Sequence, residues 1–512
     1  MLENLESLFI IVVIAIPIFW IARAAFENLL SGARFKIYRN LWFVITLIVF
    51  LAHNFWLYVV LSVIAIQIFQ HREHNKVALY LVLLFVMPPV WEKIGGGIGE
   101  ALAMLNSLRL LALAVLLPAF LAIIRQRDRL PFGKTTPDKL LMAYILMIVI
   151  SKLGDTTVTN VLRNGLYLAV DVVLPYYVIS RSLRDIKQFK EALAAFVIAA
   201  LLLSGAAIYE YATHSLLYAS LGRDLGANIE MSNMLLRGGS LRALVTTGQP
   251  IALGFVVMVG LGFYLFLQRD ISQFYRRNLL LLLLAGGSFV ALSRGPWIGI
   301  LVLLILFIGL GPRAIRNMFL LTAGSVLAFA LAINLPGGDK LIDLLPFVGK
   351  TDSANVEYRE QLLNHALSVI GKNPMFGSVD YRNSPEMLSM VQGEGIIDVV
   401  NSYLGIALEY GLFGLSLFAS FFLSVLWGIY NTLRKYRSRP VEHHLLGVRL
   451  FKAQPDSRQD EDYLLGVTLF AVLTAILIAI YTVSSITVIP AVYWAVAGMG
   501  VAYIQMPSRN QT

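Results

Sequence analysis

Long apolar runs separated by short polar connections dominate the chain. They lie near residues 8–22, 38–52, 54–70, 77–91, 106–124, 139–152, 164–180, 192–209, 250–268, 278–293, 296–310, 317–335, 403–429, 465–483 and 486–503. A spanning helix needs about 20 mostly apolar residues, and backbone in lipid must be helical or part of a closed barrel. The runs are continuous and lack the alternation of barrel strands. They predict an all-α, polytopic membrane bundle of about 12–15 transmembrane helices, with the close pairs 38–52/54–70 and 278–293/296–310 setting that range. Two connections are much longer than the rest, 210–249 and 336–402. Loops of this length tend to carry function. The second holds an amphipathic stretch from Val356 to Ile370, with Leu362, Leu363, Ala366, Val369 and Ile370 apolar, then breaks at Asn373-Pro374 and Gly377. It reads as a large, partly helical loop lying over the membrane. The predicted organisation is an N-terminal bundle over 1–209, a loop over 210–249, central helices over 250–335, the large loop over 336–402, and C-terminal helices over 403–512 with a polar loop at about 430–463.

Composition sharpens this picture. Of 512 residues, 58% are hydrophobic and 14% charged, and mean hydropathy is +0.73. A soluble domain carries about 25% charged residues. The excess of 41 Lys+Arg over 31 Asp+Glu therefore asks for a topological reading before a nucleic-acid one. The short loops supply it: Arg23, Arg34, Lys36 and Arg39; Arg125, Arg127, Arg129, Lys134 and Lys139; Arg181, Arg184, Lys187 and Lys190; Arg269, Arg276 and Arg277; Arg313 and Arg316; Arg434, Lys435, Arg437 and Arg439 all fall on one side. By the positive-inside rule that side is cytoplasmic, and the two long connections are periplasmic. Cysteine is absent, which excludes disulfides, thiolate metal sites and cysteine nucleophiles. Glu3 and Glu6, rather than basic residues, precede the first run, and no small-x-small site follows it, so a retained helix is expected and not a cleaved signal.

The informative cations are those on the periplasmic side. Arg294 lies in Ser293-Arg294-Gly295-Pro296-Trp297, between two apolar runs with no spare loop length. Gly295 permits a tight turn, Pro296 suits a first helical turn, and Trp297 can anchor at headgroup level. Arg294 either snorkels to lipid phosphate or presents a planar fork to a bound phosphate. Arg237 and Arg242 flank Gly238-Gly239, and Arg223 reads as a solvated loop charge. Arg359 sits in Glu357-Tyr358-Arg359-Glu360, ahead of His365, and is either paired by Glu357, Glu360 or another loop acid or held for a ligand. Asp398 precedes Asn401, Ser402 and Tyr403 at the mouth of the next span. Glu409 lies about two turns deeper, where an ionised acid needs a partner, an arginine or a substrate. Asp171 is an acid within a span, for pairing or for a pathway. No HExxH, Walker loop, His/acid metal cluster or ordered Ser-His-Asp set is present, so no metal, cofactor or nucleotide-driven pump is expected. Arg237, Arg242, Arg294 and Arg359 in one site would suit a diphosphate and steady charge growing on a leaving group, while a carboxylate or imidazole takes a proton from an attacking hydroxyl.

These residues resemble the O-antigen ligase and polymerase superfamily of bacterial envelope proteins. The resemblance covers about 230–430. It rests on Ser293-Arg294-Gly295-Pro296-Trp297, on Arg359 followed by Asn373-Pro374-Met375-Phe376-Gly377, and on Asn401-Ser402-Tyr403-Leu404 through Glu409-Tyr410-Gly411-Leu412-Phe413-Gly414. It implies a metal-independent glycosyltransferase of the bacterial inner membrane, active at the periplasmic face. Donor and acceptor would be undecaprenyl-diphosphate-linked glycans, with membrane lipids and a chain-length regulator protein as partners. Arg294 and Arg359, and more loosely Arg237 or Arg242, take the family's arginine positions. Asn401, Tyr403, Glu409 and Trp297 give substrate contacts or structural support. The family's histidine falls on Val400, which accepts neither a proton nor a hydrogen bond. Asp398, Glu394, Glu360 and His365 are the replacement candidates, with Asp398 first because it is nearest the helix mouth. The missing imidazole favours a polysaccharide polymerase. The alternatives are an O-antigen or other glycan ligase using the same donor, and a transporter of a small anion or lipid-linked oligosaccharide.

Overall fold

The computed structural model describes residues 2–95, 102–126, 130–153, 157–311, 314–334, 353–391, 395, 397–437 and 458–509. Its longer helices are α1 Leu2–Ala25, α2 Gly32–Leu51, α3 Phe55–Gln70, α4 Lys76–Leu83, α5 Ser107–Ile124, α6 Thr136–Ser151, α7 158–182, α8 Ile186–Thr213, α9 Pro250–Leu267, α10 Phe274–Val290, α11 Arg294–Gly309, α12 Ala314–Asn334, α13 Ser353–Lys372, α14 Ser402–Arg437, α15 Arg458–Ala479 and α16 Ile489–Arg509. Among the described residues, seven helices are long and apolar enough to cross a membrane, and 55–70, 294–309 and 314–327 are shorter apolar helices. The chain is an all-α polytopic membrane bundle. The count from length and apolarity is lower than that from the runs, because several runs form helices of fewer than 18 residues or helices with charged first turns.

Local chemistry starts these helices. Asn54, Asn75, Asn106 and Asp185 each accept a first-turn amide through the side chain, and Thr135 with Asp138 forms a reciprocal capping box. Burial then sorts them. In the most apolar windows of α8 and α9, 83% and 94% of residues are buried. Helices apolar all round belong at the centre of a bundle. α8 packs on α1, α4, α9 and α10; α15 packs on α9, α11 and α14; α6 lies along α14.

The run at 77–91 does not form one span. α4 ends at Leu83, and after Pro88-Pro89 the chain continues as strand β1, Val90–Ile94. Proline lacks the amide that a helix needs and pushes the preceding residue out of helical geometry. β1 pairs antiparallel with β2, Ala103–Asn106, with Trp91 opposite Asn106, and with β3, Asn228–Ile229, with Val90 opposite Ile229. This small sheet lies on the face that carries the long connections, called here the loop-rich face. A two-residue hairpin follows from β4, Leu236–Arg237, to β5, Ser240–Leu241. Gly238 and Gly239 at its turn have φ of +56° and +81°, the doubly positive pattern of a tight hairpin turn.

Asp171 is accounted for as a pairing residue. α5 and α7 each contain one π-helical turn, Ala112–Leu116 and Ala169–Val173. Arg109 Nε donates to Asp171 at 3.0 and 3.1 Å and Nη2 at 2.8 Å, while its guanidinium lies over the Tyr167 ring.

The run at 403–429 is also broken. Within α14, Gly411 has φ +67° and ψ −172°, a conformation essentially restricted to glycine. The segment Pro374–Gly377 fills the break. Pro374 O accepts from Leu412 N at 2.8 Å, Met375 O accepts from Phe413 N at 3.1 Å, and Ser378 N donates to Leu408 O at 2.9 Å. These bonds satisfy backbone groups that the interruption frees, as apolar surroundings demand. The fit is backbone against backbone. A Cβ on Gly377 would lie 2.5 Å from Gly411 N, and one on Gly411 would lie 2.5 Å from Phe376 N and closer still to Met375 O.

Candidate functional site: an arginine cluster under the long loops

Three arginines from separate regions meet on the loop-rich face. Arg237 comes from the hairpin, and its Nη1 donates to Leu292 O. Leu292 has φ +45°, a strained value for a branched side chain, and it turns the chain into Ser293 and Arg294 at the start of α11. Gly254 on α9 lets Pro296 pack close, and Gly295 faces Thr482, whose Oγ1 a Cβ there would strike. Arg359 lies near the start of α13, with Nη2 3.4 Å from Thr482 O. Its surroundings lower its pKa. Loss of water is the main cause, Asp398 opposes it, and Arg237 and Arg294 add to it. Much of the Arg359 side chain is accessible, yet its charged end is hemmed in closely enough to feel all three neighbours. Three cations in reach of one another cost energy that a bound polyanion would offset.

α13 is amphipathic as predicted, with Leu362, Ala366, Val369 and Ile370 buried against Leu404, Ala407 and Leu408 of α14. Leu363 is exposed. Asp398 accepts from Ser484 Oγ at 2.9 Å, and its carbonyl accepts from Tyr358 at 3.1 Å. Asn401 caps α14, accepting from Tyr403 N at 3.0 Å and Leu404 N at 3.2 Å. Tyr403 turns into the bundle and donates to Leu477 O at 2.7 Å. Trp297 also faces inward, bonding Ser288 O at 3.0 Å and stacking on Phe289. Arg242 follows the hairpin, half-buried, with its amide on Leu235 O.

Other predicted residues lie elsewhere or have different partners. His365, about two turns beyond Arg359 on α13, acts electrostatically on Glu386, which Lys372 engages at 2.5 Å. Glu360 is exposed on α13. Glu394 lies outside the described residues. The partner of Glu409 is Lys152 at 3.4 Å, a lysine and not the arginine expected, with Tyr410 donating to the same oxygen at 2.7 Å. Arg359 approaches Asp398 and Thr482, whereas Glu357 takes up Gln361. Arg223 is exposed beside Glu3 and Asp224.

Sequence reasoning missed the connection between α15 and α16. Thr482 receives Arg359, Ser484 holds Asp398, Ser485 bonds Ser402 at 2.8 Å, and the Thr487 amide donates to the Glu230 carboxylate. Its only sequence signal is four hydroxyl residues, Thr482, Ser484, Ser485 and Thr487, between two apolar runs. Glu210, near the end of α8, was also missed. It accepts from Leu217, Leu244 and Val245 amides at 3.0 Å each, and so pins the 210–249 connection below the hairpin.

α6 and the Phe376–Val379 segment line an open apolar pocket of about 530 Å³, with Leu146, Met147, Ile150, Phe376 and Phe413 among its walls. Residues 279–419 match the family described as O-antigen ligase. The matched segment contains Arg294, Arg359, the Pro374–Gly377 insertion and the broken helix, so the resemblance read from those motifs holds where they lie. It supports glycan transfer of the ligase or polymerase type. No curated protein matches the chain.

Proposed function

We propose that the protein is a polysaccharide polymerase of the bacterial inner membrane, working at the periplasmic face. A sugar hydroxyl of a lipid-linked repeat unit attacks the anomeric carbon of an undecaprenyl-diphosphate-linked chain. The new carbon–oxygen bond forms as the bond to diphosphate breaks, and that electron pair leaves on the polyprenyl diphosphate. The hydroxyl proton passes to a carboxylate and then to water. The observation that carries this reading is the convergence of Arg237, Arg294 and Arg359. Guanidinium groups bind phosphate oxygens in pairs of parallel hydrogen bonds and stabilise charge building on a leaving group. The open apolar pocket along α6 suits a polyprenyl tail, and the family resemblance adds a chain-length regulator as a proposed partner.

A ligase, which passes the glycan to a terminal acceptor, is the second reading, favoured by the family description of residues 279–419. Val400 at the expected histidine speaks against it. Transport is less well supported, because the two acids first read as candidates for a pathway have cationic partners, Asp171 with Arg109 and Glu409 with Lys152. Purified protein given lipid-linked repeat units without a membrane potential tests all three. A ladder of lengths is expected. A single addition to a terminal acceptor would establish the ligase, and absence of any new glycosidic bond would overturn both enzyme readings.

A further inference from the structure

We infer that Ser484 is a positioning residue that keeps Asp398 from closing onto Arg359, so that the arginine stays open to a diphosphate. The inference rests on the glycosyl-transfer reading above, which supplies the ligand class. Arg359 and Asp398 lie within electrostatic reach of one another. Among the described residues they nevertheless form neither a hydrogen bond nor an ion pair, because each is held by the connection between α15 and α16. Arg359 Nη2 donates to Thr482 O at 3.4 Å, and Asp398 accepts from Ser484 Oγ at 2.9 Å. Thr482 and Ser484 are two positions apart, so their Cα atoms are separated by at most about 7 Å. Tyr358, the neighbour of Arg359, ties the same region together by donating to Asp398 O at 3.1 Å. The two opposite charges are neighbours with separate anchors.

The anchors decide what Arg359 can bind. A carboxylate takes a guanidinium through two parallel N–H bonds, the same donors that a phosphate needs. A backbone carbonyl takes a single donor and carries no charge, so the other N–H groups and the whole positive charge remain for a ligand. Arg237 and Arg294 also act on Arg359. A carboxylate that swung inward would therefore be drawn by more than one cation. The Ser484 hydroxyl gives Asp398 a neutral partner in place of that collapse.

The connection has anchors other than Ser484. Ser402 N donates to Ile480 O at 3.0 Å and to Val483 O at 3.1 Å. Ser402 Oγ donates to Val483 O at 2.7 Å, and Ser485 Oγ meets Ser402 Oγ at 2.8 Å. These bonds pin the connection to the start of α14 on both sides of Ser484, so its shape should outlast loss of the hydroxyl. Ser484 Oγ also lies 3.0 Å from Val399 O. A hydroxyl has a single proton, which the bonds to Asp398 and Val399 share. A purely structural role through Val399 is thus the rival explanation.

Two backgrounds separate charge from structure. Purified full-length protein in detergent is titrated with undecaprenyl diphosphate at low ionic strength. Ser484→Ala is expected to raise Kd at least about threefold, within the range for an exposed ion pair that has to open before the ligand binds. A smaller rise would overturn the inference. Ser484→Thr keeps the hydroxyl and should bind as wild type, whereas a loss equal to that of alanine would count against the hydroxyl. The decisive comparison is Ser484→Ala in Asp398→Asn protein, where no charge remains to swing onto Arg359 and Kd should not rise further. A loss as large as in the wild-type background would overturn the inference, since Ser484 would then act through Val399 and the connection alone. If Ser484→Ala does not fold, Ser484→Cys replaces it in both backgrounds, being close in size and a weak donor. Wild-type protein that binds no undecaprenyl diphosphate would overturn the diphosphate reading itself, and the role of Ser484 with it.

Discussion

Replacing Gly411 by alanine should unseat the Pro374–Gly377 segment without removing the protein from the membrane. Alanine at φ +67° and ψ −172° occupies a region essentially reserved for glycine, at a cost of about 1–3 kcal/mol. Its Cβ would also meet Met375 and Phe376 backbone atoms, which cannot swing aside as a side-chain tip can. Relief requires the inserted segment to retreat, breaking the bonds from Leu412 N and Phe413 N, each worth about 1 kcal/mol net. The total is about 3–5 kcal/mol, and each 1.4 kcal/mol is tenfold in population. The seated state should therefore lose roughly 10²–10⁴-fold in weight. The apolar stretch from Leu412 onward is unchanged, so insertion and topology should survive. Hydrogen exchange over 374–379 and glycan transfer are the readouts. Exchange is expected to rise in that segment alone, with transfer lost in parallel. Wild-type protection together with wild-type transfer would refute the close-packing account.

Arg294→Ala should abolish polymer with normal membrane insertion, and wild-type polymer length and amount would remove its assigned role. Arg359→Lys keeps the charge but not the fork, and transfer is expected to fall about 10-fold or more, measured as initial rate at saturating donor. Glu210→Ala leaves three buried amides without their acceptor and should lower stability by about 3 kcal/mol, read as a drop in Tm in detergent.

Much of the fold could be read from apolar runs, because a helix surrounded by lipid or by other helices must be apolar throughout. The reading failed where apolarity does not distinguish conformations. Residues 77–91 are uniformly apolar up to Trp91, yet two adjacent prolines end the helix early and leave a strand of five residues. The break at Gly411 is hidden for the same reason, since both halves of α14 are apolar. The arginines were legible because they stand apart from the short-loop cations on which the predicted topology rests. Their surroundings were not. Arg109 and Asp171 are 62 positions apart, and Glu230 and Thr487 are drawn together only by tertiary packing. His365 appeared useful because of its proximity in sequence to Arg359, whereas helical geometry carries it about two turns away toward Glu386.

The connection between α15 and α16 bears on how this activity could be moved or inherited. The family-matched stretch ends at 419, whereas Thr482, Ser484 and Ser485 lie beyond it and Arg237 and Glu230 precede it. A graft of 279–419 into another bundle would carry two of the three clustered arginines and the break at Gly411, but neither the hairpin arginine nor the hydroxyl-bearing connection. Recombination that respects the site has to move the C-terminal helix pair together with the 210–249 connection. The proposed site is thus larger than the stretch that sequence similarity outlines.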